Sequence, residues 1–144
     1  MDKIIIGEKN PDYKYDFRET CFGIYEKDDQ LLLVNKHGQY SLVGGGVEHG
    51  ESKEDCLIRE CKEESGYTIT KLTPLCTIDC FWLAGDKWPL ESLVNFFIIE
   101  VDEANISKPS EADHTISFVD KKDVMALLPL PYHKKGLEIY FDKK

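Results

Sequence analysis

No apolar run of about 18 residues occurs in the 144-residue chain, which excludes a helix long and apolar enough to cross a bilayer. An N-terminal apolar segment is lacking too: MDKIIIGEKNPDYK turns polar after three isoleucines and does not read as a secretory signal. Positive charge is scarce. Eighteen Lys and Arg against 27 Asp and Glu leave a formal charge of −9 at pH 7, which argues against broad binding to nucleic-acid backbone, because that requires a positive surface. Cysteine occurs five times (Cys21, Cys56, Cys61, Cys76 and Cys80), an odd number with no C-x-x-C pair. Buried reduced thiols are therefore expected instead of a disulfide framework or a zinc site. Repeats, low-complexity tracts and Pro/Ser-rich linkers are absent as well. With 42% hydrophobic and 31% charged residues, residues 1–144 read as a single globular domain, cytoplasmic and away from membranes, of a size that supports a real core.

Against these absences stands one dense segment. From Gly45 to Tyr67 the chain reads GGVEHGESKEDCLIRECKEESGY, with Gly45, Glu51, Arg59, Glu60, Glu63, Glu64 and Gly66 in a fixed frame. At average residue usage such a frame arises by chance on the order of once in a million chains of this length. Ser52 is a good N-cap, Glu51, Glu54 and Asp55 place negative charge at the first turn, and Gly66 suits a left-handed C-terminal cap. The spacing predicts a helix over 53–65. At about 100° per residue Glu60, Glu63 and Glu64 share an arc of roughly 100°, while Leu57 and Cys61, with Ile58 beside them, form a separate apolar stripe.

Those carboxylates oppose the helix macrodipole and repel one another by roughly 0.2–0.5 kcal/mol per pair. Arg59 can reach Glu63 one turn on or fold back to Glu51, which leaves Glu60 and Glu64 facing each other without a cation between them. An isolated E-x-x-E-E run is usually just a solvated face. Here the glycines Gly44-Gly45-Gly46 precede the helix and Gly50 stands at its entrance, so that backbone groups can approach a metal or phosphate closely. Oxygen ligands without His or Cys suit a hard ion, Mg²⁺ or Mn²⁺. By the same repulsion argument, neutralising Glu64 should leave the metal-free protein as stable or more so.

The segment resembles the signature box of the Nudix hydrolases, G-x5-E-x7-R-E-U-x-E-E-x-G-U, with every invariant position filled and Cys61 and Tyr67 at the U positions. SLVGGGVEHGE is similar to the family's frequent LPGGGVEPGE, with Val43 and His49 where proline is common. The resemblance implies an α/β fold, a Nudix-type α/β/α sandwich with a mixed, curved β-sheet between helices. It also implies a pyrophosphohydrolase that cleaves a nucleoside diphosphate linked to another moiety X, such as a nucleoside triphosphate or a nucleotide sugar, by water attack at phosphorus. Carried over by position, Glu60, Glu63 and Glu64 become the metal set, with the Gly44 carbonyl as a further ligand in some members. Arg59 becomes the residue that orients Glu51, and Gly45 and Gly46 become substrate-facing. The general base falls to a box glutamate, Glu63 among them, or to an acidic residue of a later loop, Glu111 or its competitor Asp113.

Strand-like runs lie at about residues 20–25, 31–35, 68–82, 92–101 and 115–119, with a break or bend at Pro74. Asp120 is expected to cap a short helix through Leu128, and residues 132–141 to form a last helix with Gly136 as its weak point. Phe81, Trp82, Trp88 and Phe96 lie beyond the box, and one or two of them could stack on a nucleobase, although most aromatics at strand spacing are core. Tyr13, Tyr15, Arg18 and His49 read as solvent-exposed, with a cleft or a dimer contact as the other reading for the first three. The partner expected is a nucleotide-type small molecule, for a monomer or a homodimer. Two other classes compete: a catalytically inactive Nudix-like nucleotide-binding domain, and an acidic protein-interaction domain.

Overall fold

The run Leu31-Leu32-Leu33-Val34 carries apolar side chains at both parities, which a strand can bury only where both faces of its sheet are covered. The computed structural model, which describes residues 3–110 and 113–143, has this arrangement. Leu31 and Leu33 enter one buried cluster, and Leu32 and Val34 enter another. Neighbouring strands divide in the same way, Phe22 from Cys21 and Phe96 from Phe97.

The strands are β1 (Lys3–Ile6), β2 (Asp16–Ile24), β3 (Glu26–Lys27), β4 (Gln30–Lys36), β5 (Gln39–Gly46), β6 (Thr68–Ala84), β7 (Trp88–Asp102) and β8 (His114–Asp120). The helices are α1 (Lys53–Ser65), α2 (Val124–Leu127) and α3 (Pro131–Asp142). The sheet runs β1-β6-β7-β2-β5-β4-β3, with β8 on the other edge of β4. Because β1 lies parallel to β6 and β2 parallel to β7 while the remaining pairs are antiparallel, the sheet is mixed. Cys56, Leu57 and Cys61 of α1 cover one face, and Val124, Leu128, Tyr132, Leu137 and Tyr140 from the C-terminal segment cover the other. The result is an α/β/α sandwich. All five cysteines are buried and free.

Helix α1 falls where its caps place it. The Ser52 hydroxyl accepts from the Asp55 amide at 3.0 Å, and Gly66 closes the helix at φ 80° with its amide on the Lys62 carbonyl at 2.9 Å. Other expectations are corrected. Ile58 does not join the apolar stripe: it is 39% exposed while Leu57 and Cys61 are sealed. Asp120 belongs to β8 and caps nothing, since α2 starts only at Val124 after a turn in which the Asp123 amide meets the Asp120 carbonyl. Of the break or bend expected at Pro74 only the second is seen: the ladder shifts register between Pro74 and Cys76, and β6 continues to Ala84. Gly136 is less a weak point than a clearance, because a Cβ there would stand 2.8 Å from the Phe96 ring. Strands β1, β3 and β5 escaped the sequence reading; a short apolar end, a charged pair and a glycine-rich segment become strands only through their partners β6, β4 and β2.

The different fates of two adjacent helix residues can be measured. Leu57→Ala should cost about 2–5 kcal/mol in urea unfolding, as expected for emptying a sealed site. Ile58→Ala should stay within about 0.5 kcal/mol.

Candidate active site

Strand β5 delivers Gly44, Gly45 and Gly46 alongside Phe22, Cys21 and Thr20 of β2, and α1 lies across the same strand. The helix comes so close that a Cβ on Gly45 would sit 2.7 Å from the Glu60 carboxyl carbon. The Glu60 side chain could swing aside, whereas Gly44 admits only glycine: at φ 146° a Cβ there would collide with the Cys21 carbonyl oxygen. Two buried thiols line the back of this segment: Cys21 Sγ lies 3.7 Å and Cys56 Sγ 3.6 Å from the Gly45 carbonyl, and Cys56 Sγ also lies 3.4 Å from that of Gly46. The hydrogen bond with the neighbouring Cys56 thiol, followed by burial, pushes the Cys21 thiol far up, which keeps it protonated and able to donate.

Arg59 organises the loop between β5 and α1. Its Nε donates to Glu51 Oε2 at 2.8 Å and its Nη2 to Glu51 Oε1 at 3.0 Å, a two-bond fork. The same Nη2 donates to the Gly46 carbonyl at 3.2 Å, and Nη1 reaches Glu60 at 2.9 Å and Glu63 at 3.3 Å. The Arg59 hydrogen bonds hold the Glu51 carboxyl down at about 2. Arg59 thus serves both partners proposed for it, and Glu60 in addition.

Glu64 has different company. It is only 1% exposed, its Oε1 accepts from the Gly44 amide at 2.9 Å, and its Oε2 meets Lys36 Nζ at 2.7 Å and His114 Nδ1 at 3.3 Å. Burial pushes its carboxyl above the usual range, and burial followed by the Glu64 charge does the same to Glu60. To the repulsion expected from the sequence the fold adds a lysine from β4, which meets the Glu64 charge while burial opposes it. Lys36 and His114 were invisible to sequence reasoning, since neither lies in the box and only the β4–β8 pairing, Lys36 opposite His114, joins them to it.

A hard cation fits this donor set. Glu64 Oε2 is buried and already meets a cation, Lys36 Nζ at 2.7 Å, the Gly44 carbonyl shares that cation at 3.0 Å, and both ligand atoms are oxygen. Even so, among the described residues no three of His, Cys, Asp and Glu already converge as an ion cage. Glu60 and Glu63 lean to Arg59, and Glu64 leans away to Lys36.

Glu111 lies outside the described residues. The loop leading to it is moored to the box, with the Ser107 amide on the Gly66 carbonyl at 2.8 Å and the Ser110 amide on that of Glu63 at 3.0 Å. Asp113 is exposed. A cleft of about 580 Å³ opens beside Gly45 and is lined by Arg18, Lys36, Tyr40, Trp82 and Tyr132 among others. Trp82 is thus at the cleft, its indole Nε1 donating to Ser92 Oγ at 3.0 Å. Gly46, His49 and Glu51 border a shallower hollow next to it, with Arg18 shared between the two. Trp88 is exposed and bonds Asp16, while Phe96 is core. His133 also reaches the cleft wall, yet it is 1% exposed and neither ring nitrogen has a hydrogen-bond partner. Burial lowers it to about 3, so it is neutral at pH 7. No helix among the described residues is long and apolar enough to cross a membrane.

The fold and the box together define a Nudix protein, and comparison with known proteins agrees. The NUDIX domain model matches residues 18–141, and the chain belongs to the Nudix hydrolase family. It is 45% identical over 85 residues to an ADP-ribose pyrophosphatase of Methanocaldococcus jannaschii, covering 55% of this chain and 48% of that protein. To the NAD-capped RNA hydrolase NudC of Shigella flexneri it is 32% identical over 85 residues, covering 56% and 30%. The match thus spans about half or less of these curated relatives. Among solved structures, the MutT protein of Bacillus halodurans superposes with a TM-score of 0.69 at 23% identity, covering 84% of this chain and 80% of that one. A Nudix hydrolase of Nitrosomonas europaea gives 0.69 at 17% identity, covering 90% and 91%. These likenesses establish the shared fold.

Two expected outcomes follow from the geometry. Arg59→Lys keeps the charge but loses the planar fork on Glu51, so turnover should fall by about 10–100-fold and the melting temperature should drop; wild-type values for both would reduce Arg59 to a surface residue. His133 is held at about 3 in the fold against an ordinary 6.5. Between those values the unfolded chain binds more protons than the folded one, so this residue makes stability fall as pH drops from about 6.5 toward 3. In urea titrations across that range, His133→Leu should show a shallower acid limb than wild type.

Proposed function

We propose that this protein is a divalent-metal-dependent pyrophosphohydrolase acting on a nucleoside diphosphate linked to a further moiety, such as a nucleoside triphosphate or a nucleotide sugar. The observation that carries this reading is the buried Glu64 carboxylate, whose charge is met by a cation at 2.7 Å, beside an Arg59 fork that fixes the loop facing it. The names of the curated relatives, an ADP-ribose pyrophosphatase and an NAD-capped RNA hydrolase, support the same bond class. Residues 1–144 act in this reading as one domain.

In this proposal Glu60, Glu63 and Glu64, with the Gly44 carbonyl, hold Mg²⁺ or Mn²⁺. The ion supplies charge neutralisation on the phosphate oxygens, which is most of what phosphoryl transfer requires. Arg59 keeps Glu51 and the α1 entrance in register, and Gly45 and Gly46 admit the substrate without steric obstruction. Trp82 and the cleft it lines take the base or the moiety X. Glu63 is 33% exposed against 17% for Glu60 and 1% for Glu64, which makes it the box carboxylate that water can best approach. It takes the proton from water as the new oxygen–phosphorus bond forms and the bridging oxygen–phosphorus bond breaks. Glu111, next to the moored Ser110, is the alternative base.

The reaction is tested in oxygen-18-labelled water with Mg²⁺ and a panel of nucleoside diphosphate derivatives, alongside a simple phosphate monoester. Label should appear in a product phosphate, with a nucleoside monophosphate and the phosphorylated second moiety as products. Faster turnover of the monoester, or label only at carbon, would overturn the proposal. Nucleotide binding with no turnover would favour the binding domain.

A further inference from the structure

Lys36 is the unexpected member of this site. Its Nζ sits 2.7 Å from Glu64 Oε2 and 3.0 Å from the Gly44 carbonyl, so a single ammonium spans the two oxygens assigned above to a divalent ion. We propose that Lys36 is a tethered cation that competes with the metal for this position and holds the resting site closed.

Space and charge set this competition, given the metal-hydrolase reading of the same carboxylates on which it rests. A Mg²⁺ ion bonds oxygen at about 2.0–2.1 Å, so an ammonium within 3.0 Å of both donors leaves no room for it, and the two positive charges repel. The groups facing Lys36 from the surrounding elements are Glu64 of α1, the Gly44 carbonyl of β5, and His114 of β8, whose Nδ1 is 3.3 Å from the same Glu64 oxygen. Arg59 engages Glu60 and Glu63 at the same time, so the protein's own cations account for each box glutamate of the set. This explains why the carboxylates stand apart instead of forming a cage. Lys36 also lines the 580 Å³ cleft, and its flexible four-carbon stem can withdraw there as the ion arrives. Its charge would then face whatever anion the cleft holds, so that ion binding and substrate binding assist one another through one side chain.

The test is Mn²⁺ alone, with its dissociation constant read by electron paramagnetic resonance for the wild type and for Lys36→Met and Lys36→Gln. Both variants should bind Mn²⁺ about tenfold or more tightly than wild type, within the range of couplings between linked sites. Equal or weaker binding by variants that still melt cooperatively would make Lys36 a structural pin and overturn the proposal, while leaving the metal-hydrolase reading intact. Absence of Mn²⁺ binding in all three proteins would overturn both. A second measurement uses the wild type only and does not depend on the variants folding: Mg²⁺ should increase the rate at which acetic anhydride labels Lys36, followed by mass spectrometry, and an unchanged rate would overturn the proposal.

Discussion

The constraint on which the site depends is the approach of α1 to β5. Gly45 has no Cβ, and the Glu60 carboxyl carbon lies 2.7 Å from where one would be. That approach brings the end of α1 over the glycine strand, puts Glu64 on the Gly44 amide, and lets Arg59 reach the Gly46 carbonyl and Glu51 together. The sandwich supplies the rigidity. Leu57 and Cys61 pack against the side of the sheet that carries Cys21, Val34 and Phe97, so one face of the helix is fixed while the other gathers acid.

Gathering acid at a helix C-terminus is unfavourable, and the fold handles it by division. Arg59, on the helix itself, serves Glu51, Glu60 and Glu63, while Lys36, from a different strand, serves Glu64. The two halves differ in solvent access. Around Glu63 water is near; around Glu64 it is nearly excluded, so a buried carboxylate charge is costly there without a cation beside it, which Lys36 supplies. A buried carboxylate that already needs a cation in the resting protein is suited to binding an ion.

How far this could be read in the sequence varies with the range of the interactions. Helix α1 was legible to the residue, because Ser52 and Gly66 act through bonds to the next turn. The central strands were legible because their apolar runs are long. Strand β5 was not, since glycine favours no strand and only the β2 ladder makes it one. The α2 start was misplaced at Asp120 because that residue is already paired with Gln30 in the β4–β8 ladder, where its backbone is extended. Among the aromatics, composition could not separate Trp82 at the cleft from Phe96 in the core.

The sequence by itself determined the family, the carboxylate face and the Arg59–Glu51 relation, because all of these lie within a single helix and the loop that leads into it. Tertiary structure alone decided what those carboxylates meet. Lys36, His114 and the loop ending at Ser110 come from beyond the box, and no local periodicity encodes a contact made through strand pairing. Burial did the rest: it separated Glu64 from Glu63, two neighbouring residues of one chemical type, by closing the sheet over the first and leaving the second within reach of water.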